Sequence, residues 1–254
     1  MLSSRIIPCL LYHKKGLTKT IKFKDHKYIG DAINSVRIFN EKKVDELIFL
    51  DIDATVNSTE PDYLMIEKLA EECRMPLCYG GGIKTVSQIE KIIQLGVEKV
   101  AISSGILDDP LLVQEAAKRV GSQSIAAVLD LKRTGPIKNK YELFSHNGKK
   151  KYRIDVREFI KKIELLGIGE IIINSIDKDG TRTGYDLDLI SLIKEITHTP
   201  LTFIGGANDN SDLKAIINKF SPIGAAAGSM FVLKGKYRAV LIQYPSLEQK
   251  NKIL

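Results

Sequence analysis

The pair "YGGGI" at 79–83 and "IGGAN" at 204–208 decides the fold. Each is a Gly-Gly turn that directly follows a short apolar run, and Gly81 and Gly206 are 125 residues apart. A second pair keeps the interval: "ISSGI" around Ser104 and "AAGSMF" around Ser229 are also 125 apart. A third, "FLDIDAT" at Asp51 and "NSIDKDGT" at Asp177, is 126 apart. Three echoes at nearly one offset mean that the chain is built from two related halves.

The rest of the chain fits that reading. Short β-branched or apolar runs fall at 5–11, 46–51, 77–79, 99–103, 125–130, 170–175, 201–204 and 224–228. Between them lie segments with apolar residues at helical spacing: "DAINSVRIFNEKKV", "TVSQIEKIIQLG" with Thr85 as N-cap and Gly96 as stop, and "DVREFIKKIELLG". Strands alternating with helices predict parallel βαβ units. Eight units in 254 residues predict one α/β domain over 1–254, a (β/α)8 barrel of two duplicated half-barrels.

Composition narrows the class. Hydrophobic residues make up 44%, enough for a large core. No apolar run is long enough to span a membrane, and the N-terminus is a poor signal peptide, so a cytoplasmic location is expected. Cys9, Cys73 and Cys78 have no metal-like spacing; Cys9 and Cys78 fall in strands and are expected to be reduced and buried. The net charge of +7 comes largely from lysine clusters without interleaved aromatic residues. That argues against a nucleic-acid partner and leaves two readings, basic loops over an anionic small molecule or an ordinary Lys-rich surface.

The Gly-Gly and Ser elements end strands 3 and 4 and again strands 7 and 8, on the face where barrels of this type carry their sites. Glycine there lets backbone N–H groups approach an anion, and a serine hydroxyl adds a donor. Gly82 with Ser104, and Gly206 with Ser229, are therefore candidate cradles for two phosphates of one phosphorylated small molecule. A Gly-rich turn that merely reverses the chain is the plainer alternative for either one alone.

Two further stretches look like counterparts: "IPCLLYHKKG" at 6–15 and "AAVLDLKRTG" at 126–135. The second carries Asp130 at the strand end, and the first carries Leu11. Arg5, Glu46, Lys99 and Glu170 stand at strand starts and so share the opposite end of the barrel. Two cations and two anions there make either a structural salt-bridge cluster or a gate.

Over nearly its whole length the chain resembles the cyclase subunit of imidazole glycerol phosphate synthase, the HisF family. The resemblance rests on "RIIPCL", "DELIFLDI", "GGGI", "GSQSIAAVLDLKR", "GEIIINSIDKDGTRTGYD" and "IGGA". It implies a barrel that takes ammonia from a HisH-like glutaminase, in a heterodimer docked on the Arg5, Glu46, Lys99 and Glu170 face. It also implies ring closure of phosphoribulosyl-formimino aminoimidazole carboxamide ribotide, with no metal and no organic cofactor. The family's two catalytic aspartates map to Asp130 and to Leu11, so one acid is missing. Lys19 in the loop after strand 1, Asp51, Ser175 and Asp179 match substrate-binding positions, while Asp53 and Ser103 depart from the family. Ala54 and Ala127 are candidates to line a conduit.

"CLL" for "CLD", "GLTKT" at 16–20 and "DIDA" at 51–54 resemble a glycosyl amidation-associated subgroup of surface-polysaccharide synthesis. That resemblance implies an ammonia relay working with a separate sugar amidotransferase on a nucleotide-linked sugar. Three functions stay open: the relay, a working cyclase in histidine biosynthesis, and a scaffold that activates the glutaminase. The segment 131–153 is expected to form a small hairpin around Asn147-Gly148.

Overall fold

A computed structural model describes residues 3–135 and 140–254. Eight parallel strands close into a barrel. They are β1 (Arg5–His13), β2 (Leu47–Asp51), β3 (Leu77–Gly80), β4 (Lys99–Ile102), β5 (Ile125–Arg133), β6 (Glu170–Ser175), β7 (Leu201–Ile204) and β8 (Gly224–Ala227). Each pairs with its sequence neighbour, and β8 pairs with β1 to complete the ring. The expected (β/α)8 architecture is present.

Among the described residues, seven helices of at least eight residues follow the strands and a shorter one lies near the C-terminus: α1 (Ala32–Glu41), α2 (Tyr63–Glu72), α3 (Val86–Gln94), α4 (Leu111–Val120), α5 (Val156–Leu165), α6 (Leu187–Lys194), α7 (Asn210–Phe220) and α8 (Leu247–Ile253). The N-cap read at Thr85 forms a full capping box with Gln88, an arrangement that satisfies two orphan N–H groups. Asp31 and Asp155 cap α1 and α5 by accepting from the third helical N–H. No helix of the described residues is long and apolar enough to cross a membrane.

Alternation along the strands divides the core into two layers. Residues such as Ile6, Phe49, Val100, Leu129 and Ile173 pack outward against the helices. Ile7, Cys9, Ile48, Cys78, Ala101, Ala126, Val128, Ile172, Ile204 and Ala226 fill the barrel. Cys9 and Cys78 are thus buried free thiols, as expected. Ala127 is on the outer layer, so Ala101, Ala126 and Ala226 supply the small interior side chains instead. Ala54 is buried in the loop beyond β2, beside Gly82, and not in the bore.

Two strands run past the ends expected for them, and both do so to join hairpins. β1 continues to His13 because Gly16–Ile21 folds back on it, and Lys24–Gly30 then pairs with Gly16–Ile21. Lys14 and Lys15, then Lys22 and Phe23, take the left-handed backbone that such tight turns need. Lys19 therefore sits on a strand and not in a loop. β5 continues to Arg133 and pairs with Tyr141–Ser145, which pairs with Lys150–Tyr152. The hairpin turn falls at Asn147-Gly148, as expected; residues 136–139 of that segment lie outside the described residues.

Candidate active site

The C-terminal ends of the strands surround a cavity of about 130 Å³ that opens to solvent. Of the residues singled out in the sequence, Leu11, Lys19, Asp51, Gly82, Ser104, Asp130, Asp179, Gly206 and Ser229 all line it. Ser175 does not. Alternation along β6 puts its neighbour Asn174 on the cavity wall, while Ser175 is buried with its hydroxyl unpartnered.

Asp130 stands at the centre of the chemistry this cavity can perform. Its Oδ1 accepts a hydrogen bond from Asn174 Nδ2 at 3.0 Å. Burial, aided by the charge of Asp179, outweighs that donor and pushes the carboxyl up to about 7. Such a group can both give and take a proton near neutral pH. Leu11 stands at the matching place on β1. Leu11 pairs with Leu50 of β2 as Asp130 pairs with Asn174 of β6.

The two Gly and Ser elements stand at matching register positions in the two halves. Leu50 faces Gly80 as Asn174 faces Ile204, which makes Gly82 and Gly206 counterparts. Both have positive φ, 72° and 103°. A Cβ on Gly82 would fall 2.8 Å from the Thr59 carbonyl oxygen, and one on Gly206 would run into the Gly184 carbonyl oxygen. Only glycine fits either position. The Gly82 N–H donates to Thr55 Oγ1 at 3.3 Å. Ser104 and Ser229 each open a short helical turn, Ser104–Asp108 and Ser229–Val232.

Lys19 lies against the second of these elements. Its ammonium donates to the Cys9 carbonyl and fills the space a side chain at Gly228 would occupy. Burial pulls its pKa below the usual lysine value. Asp179 holds the first hairpin down: its Oδ2 accepts from Thr20 Oγ1 at 2.7 Å and from the Phe23 N–H at 3.0 Å. Asp51 accepts from the N–H groups of Asp53 and Ala54 and is raised by burial. Asp53 accepts from the Lys14 N–H at 2.8 Å and pairs with His13 Nδ1 at 2.6 Å. The His13 ring stacks on His26, which reaches the cavity rim. Neither histidine was singled out in the sequence, since their contact forms only when the hairpin folds back.

At the other end of the barrel the four charged residues do meet. Arg5 pairs with Glu46 and, at 2.8 Å, with Glu170. Lys99 pairs with Glu46 at 2.5 Å and with Glu170 at 2.7 Å. The result is a closed ring of alternating sign. Burial opposes charge on Glu170, but Lys99, Arg5 and a hydrogen bond from Thr202 Oγ1 at 2.5 Å hold its pKa below the usual range. Thr202 is a fifth member that the sequence does not announce, because it reads as an ordinary strand residue.

Residues 5–238 match the family described as Histidine biosynthesis protein. The chain is 53% identical over 254 residues to "Putative imidazole glycerol phosphate synthase subunit hisF3" of Vibrio vulnificus, covering 100% of this chain and 97% of that one. It is 48% identical over 251 residues to "Putative imidazole glycerol phosphate synthase subunit HisF" of Leptospira borgpetersenii, covering 99% and 98%. It is 38% identical over 240 residues to "Imidazole glycerol phosphate synthase subunit HisF" of Oleidesulfovibrio alaskensis, covering 93% and 92%. A duplicated barrel with Asp130 in its mouth and an ion ring at its base, matched end to end by these relatives, belongs to the HisF family.

Proposed function

We propose that this chain is the synthase-side subunit of a glutamine-dependent amidotransferase and relays ammonia through its barrel. A HisH-like glutaminase docks on the face bearing Arg5, Glu46, Lys99 and Glu170. The ammonia goes to a nucleotide-linked sugar in surface-polysaccharide synthesis, with a separate sugar amidotransferase completing the transfer. The observation that carries this reading is Leu11. Ring closure by a pair of carboxylates needs an acid on each side of the mouth, and β1 offers none. The charged ring at the base is complete, and the interior between the two ends is apolar or small. An uncharged ammonia molecule suits that lining.

The two Gly and Ser elements, with Lys19 beside the second, supply places for two phosphates or for the diphosphate of a nucleotide-linked sugar. Asp51 and Asp179 shape the loops around them. A second reading, a working cyclase of histidine biosynthesis, is favoured by Asp130, whose carboxyl is tuned close to neutral pH. A scaffold that only activates the glutaminase would need neither a bore nor a mouth.

Substituting Ala226 in the barrel interior by Phe blocks the bore without touching either end. With the glutaminase present, the relay predicts that glutamine hydrolysis continues while glutamine-dependent amidation stops and added ammonium restores it. Amidation that proceeds unchanged from glutamine would sink the relay. Ring formation by the unmodified chain from the family's substrate and ammonium would establish the cyclase in its place.

A further inference from the structure

The first hairpin brings two histidines together at the rim of the cavity. His13 lies on the part of β1 that runs on into the hairpin, and His26 lies on Lys24–Gly30, its far strand. The ring centroids are 4.3 Å apart and the planes differ by 23°, a close stack. The His13 ring is fixed from behind. Asp53 Oδ1 accepts from His13 Nδ1 at 2.6 Å, and Asp53 Oδ2 accepts from the Lys14 N–H at 2.8 Å. The His26 ring is open. Among the described residues, three aromatic rings line the cavity, those of Phe23, His26 and His146, and of these only His26 is exposed.

A stack of this kind offers one free aromatic face. His13 covers one side of the His26 ring, so its exposure belongs to the edge and the other side. Burial, with the neighbouring His13, holds His26 below the usual histidine range, so the ring is uncharged at neutral pH. Histidine is among the side chains on which nucleobases stack. A ring already held in place meets the ordering cost before a ligand arrives. The position fits a ligand that also carries phosphate. β1 pairs directly with β8, which runs into the Ser229 turn. Lys19, whose ammonium stands beside Gly228, pairs across the hairpin with Lys27, the residue after His26. The open ring and the second Gly and Ser element are thus on neighbouring segments at one side of the mouth.

We propose that His26, backed by His13 and Asp53, is the platform on which the base of a nucleoside diphosphate stacks while its phosphates lie at Gly206, Ser229 and Lys19. The inference deepens the relay reading and rests on it for the nucleotide-linked acceptor. His13 and Asp53 are positioning residues: they hold the platform ring and leave its free face to the ligand. A stacked ring is recognised by its flat surface, so the platform takes purine and pyrimidine bases alike. Charge is matched elsewhere. Lys22, Lys24 and Lys27 of the same hairpin are exposed and place positive charge around an anionic ligand.

The test compares ADP with pyrophosphate, by calorimetry and by NMR of the histidine ring protons. ADP is expected to bind about tenfold more tightly than pyrophosphate, the usual scale for one stacked base. The His26 ring protons should move upfield with ADP and stay in place with pyrophosphate. His26→Ala, an exposed substitution, should abolish the ADP advantage, and His26→Phe, which keeps a flat ring, should retain it. Asp53→Ala, which frees the His13 ring, should reduce the advantage several-fold. Pyrophosphate should bind all three variants like the unmodified chain. ADP no tighter than pyrophosphate, or an advantage that survives His26→Ala, would overturn the platform and leave the relay standing. A His26-dependent ADP advantage in a chain whose Ala226→Phe variant still amidates from glutamine removes only the relay. ADP binding through His26 where pyrophosphate alone fails to bind removes only the phosphate cradle.

Discussion

Leu11 and Asp130 occupy one position of a duplicated design. Each sits on the first strand of its half-barrel, where the strand leaves the barrel wall for its hairpin, and each is paired with the residue one step before the end of the next strand, Leu50 or Asn174. The replacement of an acid by a leucine is therefore local. The strand, its register and its outward packing are otherwise preserved.

Restoring the acid should restore chemistry before it restores comfort. Leu11→Asp places a carboxylate beside Leu50 at the edge of the apolar barrel interior and is expected to cost about 1–3 kcal/mol at pH 8, measured by urea unfolding. If the missing acid is what separates this chain from a cyclase, the variant gains ring-forming activity with added ammonium where the unmodified chain has none. A variant that folds and stays inactive would show that the departures at Asp53 or Ser103 also bar the reaction.

Removing the other acid should stabilise the protein in alkali. The folded-state pKa of Asp130 is raised by burial to about 7 from an ordinary 3.8, so the native state holds a proton that the unfolded state has lost. Stability then falls as pH rises between those values. Asp130→Asn is expected to unfold at higher urea at pH 8, by on the order of 4 kcal/mol, with the difference closing by pH 4. A difference that is constant across pH would mean the carboxyl is not held protonated.

The basal ring should fail asymmetrically. Lys99→Met leaves Glu46 and Glu170 buried with Arg5 alone, and loss of one partner from a buried ion network costs about 3–5 kcal/mol. The penalty should shrink on acidification, as the two carboxylates take up protons. Circular dichroism melts at neutral and acidic pH read this directly.

Asp179 should govern the hairpin more than the barrel. Asp179→Ala removes the acceptor for Thr20 Oγ1 and the Phe23 N–H. Two unsatisfied donors cost about 1–3 kcal/mol locally. The expected sign is faster hydrogen exchange at Phe23 and faster tryptic cleavage at Lys22 and Lys24, with barrel-strand amides unchanged.

The barrel was legible because its strands are short apolar runs closed by glycine, and because the halves repeat. The two Gly-Gly turns could be matched from sequence, although the echo aligned Gly206 with Gly81 and the strand register pairs it with Gly82, one residue on. The first hairpin was illegible for the opposite reason. Lys24–Tyr28 is exposed throughout and has no alternation to read. Its turns are made by Lys14, Lys15, Lys22 and Phe23, residues that do not advertise positive φ. The choice of Ser175 over Asn174 failed by a single step, and in a strand one step exchanges the inner face for the outer. Thr202 and the contact between His13 and His26 depend on side chains brought together from distant segments, which no local pattern encodes.

The mismatched pairs, Asp130 with Leu11 and Asn174 with Leu50, have a consequence for handedness of entry. A mouth with near-twofold framework and matching glycine turns would accept an elongated ligand equally well in either direction. Substitution at just these positions makes the two directions unequal. A chain rebuilt from two copies of its second half would regain that indifference, and with it two carboxylates facing each other across the opening.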